Sequence, residues 1–532
     1  MNDVMLLDCT LRDGGYVNDW KFGRDNMVSI FERVVEAGVD IIEIGFLDER
    51  RPFDPDRSIM PDSDCVKKIY GSLDRKSTMV VGMIDYGTCS LSRIKPASEC
   101  FLDGIRVIFK KHLREDAMAF CAALKEKGYK VFAQLVSVTS YDDTEMLDLI
   151  RLANDVQPFA VSIVDTYGLM HQDNLMHYFD LLNDRLDASI ALGYHAHNNF
   201  QMGYANCIAV LNRKICGDVH RPMLVDGSIY GMGKSAGNAP IELIAMYMNH
   251  RMGKSYGISQ FLEAIDSNIS AFYQSATWGY NMFYFLAASN DCHPNYVSYL
   301  LQKQTLSVKS INDILGRLEG EKKLLYDKNT IEQLYLDYQK NEVNDEAALA
   351  ALREELRSKP ILLVGPGSSM KKQKAKVAAY YASHKPLVIS INRIPEYLKP
   401  DYIFLSNAKR YVSLATRLTK ERYSIIATSN VTGLTANAFD YILNFGSLID
   451  KDAEFIDNSL AMFLKVLVSL GVEQVTLAGF DGYSGRRQNY ADPNMEYDFV
   501  KRKADYLNTY MRLFLQAIQG KIRVDFLTQT LY

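Results

Sequence analysis

Two histidines one residue apart, His195 and His197, follow the apolar stretch 189–194 and read as the end of a β-strand. Alternate strand positions share a face, so both imidazoles point the same way. Neutral imidazoles on one face can bind a single divalent cation, and the missing oxygen ligand is offered far upstream by Asp13, in Leu7-Asp8-Cys9-Thr10-Leu11-Arg12-Asp13-Gly14-Gly15. One carboxylate and two histidines leave about half of an octahedral Mn2+ or Mg2+ shell open to a substrate that chelates through adjacent oxygens. A 2-oxo acid is such a chelator: its keto oxygen and carboxylate take one cation, which stabilises the enolate formed when a carbon–carbon bond breaks or forms. Arg12, beside Asp13, can place a permanent cation next to that oxyanion, and Glu43 can hold the guanidinium. Later, the glycine-rich stretch from Gly231 to Asn238 lets backbone approach a ligand closely, and Asn238 can either bind metal or cap the helix that follows.

Each signal has a plainer reading. Taken alone, a His-x-His pair on a strand is more often structural than metal-binding; Arg12-Asp13 and the glycine-rich loop, in the expected order, reverse that preference. Asp165, in Ile163-Val164-Asp165-Thr166, either contacts substrate or caps the next turn. Tyr16 serves equally as a pocket wall or as an acid or base. The other histidines (112, 171, 177, 220, 250, 293 and 384) lack metal-like neighbours in sequence and suit surface or core positions.

These residues need a scaffold, and alternation along the chain supplies one. Candidate strands are Val4–Asp8, Asp40–Phe46, Met79–Ile84, Gly104–Phe109, Lys130–Leu135, Phe159–Asp165, Ser189–His195 and Met223–Asp226. Between several of them, Asp25–Ala37, Arg114–Lys127 and Thr144–Asn154 repeat apolar residues at helical spacing. Eight strand–helix units in about 250 residues predict an N-terminal (β/α)8 TIM barrel over residues 1–265, with its chemistry at the C-terminal strand ends. Asp13, Glu43, Asp165, His195 and His197 fall at or just after such ends. Residues 266–340 read as a helical extension, with helices at Phe272–Ala288 and Ser310–Leu318, and 341–358 as a charged helical linker. From 359 to 532 a second alternation begins. Its apolar runs start at Pro360, Pro386, Tyr402, Tyr423 and Gln474 and end in loop residues, predicting an open, doubly wound α/β domain.

The totals agree. At 532 residues the chain exceeds the roughly 250–300 at which single cores stop growing, so more than one domain is expected. A net charge of −4 gives no electrostatic case for nucleic acid. No apolar run reaches the ~18 residues of a membrane span and the opening residues lack a signal-peptide pattern, so the expected location is the cytoplasm. Eight cysteines without C-x-x-C spacing read as scattered reduced thiols. The chain allows a homo-oligomer.

Together, Leu11-Arg12-Asp13-Gly14, His195-Ala196-His197-Asn198-Asn199 and Gly231 to Asn238 resemble the DRE-TIM metallolyase superfamily over about the first 265 residues. The resemblance is closest to the 4-hydroxy-2-oxovalerate aldolase and hydroxymethylglutaryl-CoA lyase branches, because Trp278-Gly279-Tyr280-Asn281-Met282-Phe283-Tyr284 also resembles a tyrosine-bearing helix of the aldolase extension. It implies Asp13, His195, His197 and Asn238 as metal ligands, Arg12 as the enolate-stabilising arginine and Glu43 as an acidic neighbour, with Tyr280 or Tyr284 contributing on the substrate; Asp165 is a substrate contact only on the reading of its own strand end. Tyr16 stands where the aldolase has a histidine base, and a phenol near 10 is a poor base at neutral pH. The implied activity is a metal-dependent aldolase or lyase acting on a 2-oxo acid, with Claisen-type transfer from an acyl-CoA as the alternative. The C-terminal region, through Gly365-Pro366-Gly367-Ser368-Ser369, Ser390 to Arg393 and Ala478 to Gly482, is similar to Rossmann-like proteins of surface-glycan assembly. That likeness implies a nucleotide or nucleotide-sugar partner, with the Gly-rich turn as a phosphate cradle.

Overall fold

Eight parallel strands close into a barrel in the computed structural model, which describes residues 3–303, 306, 308–323, 326–339, 343–418, 422–432, 439–450, 453, 455–496 and 498–532. They are β1 (Val4–Asp8), β2 (Ile41–Leu47), β3 (Met79–Asp85), β4 (Gly104–Phe109), β5 (Lys130–Leu135), β6 (Ala160–Asp165), β7 (Ala191–Ala196) and β8 (Met223–Gly227). β1 pairs with both β8 and β2, which closes the cylinder. The predicted strands lie within a few residues of the observed ones. Helices α1 (Arg24–Glu36), α2 (Ser63–Tyr70), α3 (Arg114–Glu126), α4 (Asp143–Val156), α5 (Gln172–Arg185), α6 (Gly203–Ile215) and α7 (Ile241–Met252) form the outer layer. One of the eight expected units departs from the pattern. After β3 only two single 3-10 turns occur, Leu91–Arg93 and Ala97–Glu99.

The barrel interior is layered by the two-residue period of its strands. At the bottom, Leu7, Ile41, Val81, Phe132, Ala160, Ala191 and Leu224 form an apolar plug, one residue from each of seven strands. Two residues on, the same faces carry Glu43, Gln134, Ser162 and Asp226, with Arg106 beside them on β4, all buried. The third layer, at the strand ends, carries the histidines. Between Glu43 and Phe46 the β2–β3 register shifts. Gly45, at φ 134°, sits in that bulge, where a Cβ would lie 1.9 Å from the Ser58 carbonyl oxygen.

The chain divides into two compact units, Met1–Pro294 and Asn295–Tyr532. In the first, Phe272–Ala288 is not one helix. It breaks into Ser270–Ser275 and Met282–Ser289: the first ends where Ala276 turns extended (φ −151°, ψ 93°), and Asn281 caps the second through Tyr284 N (3.0 Å). In the second unit a helix, α8 (Glu346–Leu356), forms in the charge-rich segment. It is packed rather than fully solvated, with Leu352 and Leu356 buried and Glu355 accepting a hydrogen bond from the Tyr441 hydroxyl at 2.8 Å.

Seven parallel strands build the second unit: β9 (Ile361–Val364), β10 (Leu387–Ile391), β11 (Tyr402–Leu405), β12 (Ser424–Thr428), β13 (Tyr441–Leu443), β14 (Gln474–Ala478) and β15 (Arg523–Phe526). Their order is β13-β12-β11-β10-β9-β14-β15, an open sheet whose direction of growth reverses at β9. The loops after β9 and β14 meet there: Gly367 N donates to Gly479 O at 2.8 Å. The Gly-rich turn is not an open phosphate cradle. The protein's own Asp481 carboxylate occupies it, accepting from Ser369 N (2.7 Å), Ser368 Oγ (3.2 Å) and Ser369 Oγ. Beside it, a cavity of ≈ 140 Å³ is lined by Pro366, Asn392, Asn407, Arg410, Phe480 and Tyr483, among others.

Candidate metal centre

Asp13 ends the short helix Thr10–Asp13 that β1 feeds directly, so its carboxylate overhangs the mouth of the barrel. His195 belongs to β7 and His197 follows it, their ring centroids 5.0 Å apart. The three residues meet: His195 Nε2 lies 3.0 Å and His197 Nε2 3.6 Å from Asp13 Oδ2. An antiparallel bridge between His197 and Asn238 brings the glycine-rich loop alongside. Asn238 does not cap α7, whose N-cap is Pro240. Its Nδ2 points to Met232 O (3.3 Å) and Ser228 Oγ (3.4 Å), while its buried Oδ1 has no hydrogen-bond partner among the described residues.

Six side chains close a ring of alternating charge. Arg12 Nη1 lies 3.2 Å from Asp13 Oδ2, and Arg12 Nε donates to Glu43 Oε2 at 2.8 Å. Arg106 donates through Nη1 to the same Glu43 oxygen (3.0 Å) and through Nη2 to Asp226 Oδ2 (2.5 Å). Asp226 Oδ2 is 3.0 Å from His195 Nδ1, and His195 Nε2 returns to Asp13. Three carboxylates face two guanidinium groups, so the buried ring carries one negative charge that a proton on His195 or a bound cation offsets.

Titration follows from this geometry. Burial raises the Asp13 carboxyl, but Arg12, His197 and the His195 hydrogen bond outweigh it and hold Asp13 well below the usual carboxylate range. Burial drives His197 down to about 3, with the charges of His195, Lys234 and Arg12 acting in the same direction, so its ring is neutral as a metal ligand must be. For His195 burial acts downward, yet the hydrogen bonds to Asp13 and Asp226 raise it. A carboxylate, two imidazoles and an unpartnered amide oxygen around a surplus negative charge fit a divalent cation of the Mn2+ or Mg2+ kind.

The remaining expected residues are placed less centrally. Tyr16, on the short helix after Asp13, is 43% exposed at the mouth; desolvation and the charge of Asp13 push its phenol up to about 12. The Lys234 ammonium sits 5.4 Å from the Tyr16 ring centroid. Asp165 uses both carboxylate oxygens on its own loop, accepting from Leu169 N (2.9 Å) and Met170 N (3.1 Å). Tyr280 is 63% exposed.

Sequence reading passed over Cys9, Arg106 and Asp226. Cys9 Sγ forms a compact group with ligand atoms of Asp13 and His195, all within 4.8 Å of one another. Its thiol is pushed well above its ordinary value by burial and lies 3.3 Å from Gly227 O, a hydrogen-bond distance. Arg106 had a usable signal: a lone cation inside the apolar strand Gly104–Phe109 faces either solvent or a buried anion.

A family model described as HMGL-like matches residues 3–269. The chain belongs to this family. Among proteins similar to this HMGL-like chain, 4-hydroxy-2-oxovalerate aldolase 2 of Salinispora arenicola (strain CNS-205) is 26% identical over 243 residues, covering 46% of this chain and 67% of that protein. The 2-isopropylmalate synthase of Sulfolobus acidocaldarius is 24% identical over 262 residues, 49% of this chain and 65% of that protein. Of solved structures, the HMG-CoA lyase of Bacillus subtilis superposes with a TM-score of 0.41 at 17% identity, covering 51% of this chain and 93% of that one.

Proposed function

We propose that the barrel is a divalent-metal-dependent aldolase that cleaves a 4-hydroxy-2-oxo acid to pyruvate and an aldehyde. The observation that carries this reading is the meeting of Asp13, His195 and His197 beside the Arg12 guanidinium, with Asn238, whose Oδ1 is buried without a partner among the described residues, held alongside by its backbone bridge to His197. A cation held by those four side chains supplies Lewis acidity toward the adjacent oxygens of the 2-oxo acid. In the cleavage the bond between C3 and C4 breaks, the C4 hydroxyl loses its proton as the aldehyde forms, and the pyruvate enolate takes a proton at C3. Arg12, oriented by Glu43, faces the enolate oxygen and stabilises its charge. Lys234 offers the substrate carboxylate a cation at the mouth. Tyr16, with its phenol near 12, keeps its proton and serves as a hydrogen-bond donor rather than a base.

The test is pyruvate release from a panel of 4-hydroxy-2-oxo acids with Mn2+ or Mg2+. The wild-type chain is expected to release pyruvate, and His195→Ala to lose metal-dependent release while keeping its circular dichroism. Full activity in that variant overturns the reading. A second reading, Claisen-type acyl transfer to a 2-oxo acid, is favoured by the similarity to a 2-isopropylmalate synthase. Thiol release from acetyl-CoA without pyruvate formation would select it. For the second unit we propose a nucleotide or nucleotide-sugar at the ≈ 140 Å³ cavity, supported by its place where the sheet order reverses. Absence of a thermal shift with any nucleotide would remove that proposal.

A further inference from the structure

Arg106 lies where neither the motifs nor the chemistry proposed above call for a residue. Its side chain is fully buried in the middle layer of the barrel, below the mouth. It does not touch Asp13, His197 or Asn238 by any hydrogen bond described. What it does touch is one carboxylate on each side, Glu43 at 3.0 Å and Asp226 at 2.5 Å, and each uses the same oxygen to grip a working group, Arg12 Nε at 2.8 Å and His195 Nδ1 at 3.0 Å. Its Nη2 also donates to Gln134 Oε1 at 2.8 Å, and Gln134 in turn donates to Ser162 Oγ at 3.1 Å, which anchors the guanidinium plane to β5 and β6.

Stability alone does not require this arrangement, because an apolar side chain of similar volume serves a barrel interior at least as well as a buried ion network. A rigid planar fork does something an apolar residue or a lysine cannot: it fixes two carboxylates at a set separation and angle.

We propose that Arg106 is a positioning residue that sets the metal-ligand imidazole of His195 and the guanidinium of Arg12 together, through Asp226 and Glu43. The inference rests on the metal reading above. It makes the two halves of the site interdependent: loosening the fork on the Asp226 side frees His195 to rotate, and loosening it on the Glu43 side frees Arg12. Groups that orient a metal-bound histidine typically change affinity by about 10- to 100-fold when removed.

The test uses the full chain and Mn2+ as the probe, with calorimetric titration of wild type, Arg106→Lys, Asp226→Asn and the double variant. Arg106→Lys keeps the cation but not the fork, and is expected to raise the Mn2+ Kd about 10-fold or more. In the Asp226→Asn background the same change is expected to have little further effect, since the arm through which it acts is already cut. A merely structural arginine would lower the unfolding midpoint in both backgrounds and leave the Kd unmoved. Should the lysine variant fail to fold, Arg106→Gln takes its place. Wild-type Kd in the Arg106 variant, or effects on Kd that add in full, would overturn the proposal while leaving the metal reading intact. A wild-type chain that binds no Mn2+ would overturn both.

Discussion

Asp8 closes β1 and is fully buried, and burial pushes its carboxyl up to about 7 even though Thr10 donates to it through Oγ1 at 2.7 Å. A carboxyl raised on folding binds its proton more tightly in the native chain than in the unfolded one. Its contribution to stability is therefore complete below the unfolded value near 4 and is lost as pH rises through about 7. Between about pH 5 and pH 8 this group alone is expected to cost about 3 kcal/mol, at 1.36 kcal/mol per unit. Asp8→Asn should flatten that part of the pH dependence of the urea midpoint. At the mouth, Tyr16→Phe is expected to lower kcat about 10-fold by removing a hydrogen-bond donor, yet to leave the pH–rate profile unshifted below about pH 9, because a phenol near 12 does not titrate there. Lys234→Met is expected to raise KM more than it lowers kcat, as loss of a carboxylate partner would. Residues in local motifs, Arg12, Asp13, His195, His197 and Asn238, were legible in the sequence because each motif is short and its chemistry is specific. Asp226 was not, and of Arg106 only the fact of a cation inside an apolar strand was, because their partners lie 63 and 120 residues away in sequence.

Strands and helices were more legible than side-chain partners. Every barrel strand announced itself as a short apolar run, and α4 even carries the capping box of Asp142 and Glu145 that its sequence allows. The exceptions are local. The connection after β3 forms only 3-10 turns, and the extension breaks where Ala276 turns extended. The edge strands β13 and β15 escaped notice because they are only three and four residues long and are largely half-buried or exposed, so they lack a full apolar signature. The β2 bulge gives the sharpest expectation. Gly45→Ala would place a methyl carbon 1.9 Å from the Ser58 carbonyl oxygen at a φ that L-residues avoid. It is expected to destabilise the chain by about 2 kcal/mol or more, read as a lower urea midpoint at unchanged slope.

With its two compact units, the chain is expected to unfold in two calorimetric steps. Mn2+ at about 100 times its Kd should raise only the step belonging to the barrel, by about 2.7 kcal/mol. A shift of both steps would mean that the units melt together. The change from one alternating pattern to another near Pro360 was readable from sequence, whereas the compact boundary at 294 and 295 falls inside the segment read as one helical extension, at the start of the helix Pro294–Gln302.

If the second unit takes the nucleotide or nucleotide-sugar proposed for it, the Asp481 carboxylate in the turn after β9 bears on how that molecule would be selected. A loop that furnishes its own anion is already saturated, so an incoming phosphate would compete against a permanent internal rival rather than enter an empty nest. Discrimination would then pass to the walls: the Arg410 guanidinium, the amides of Asn392 and Asn407, and the rings of Phe480 and Tyr483, which together would weigh the outline and hydroxyl pattern of a molecule as well as its charge.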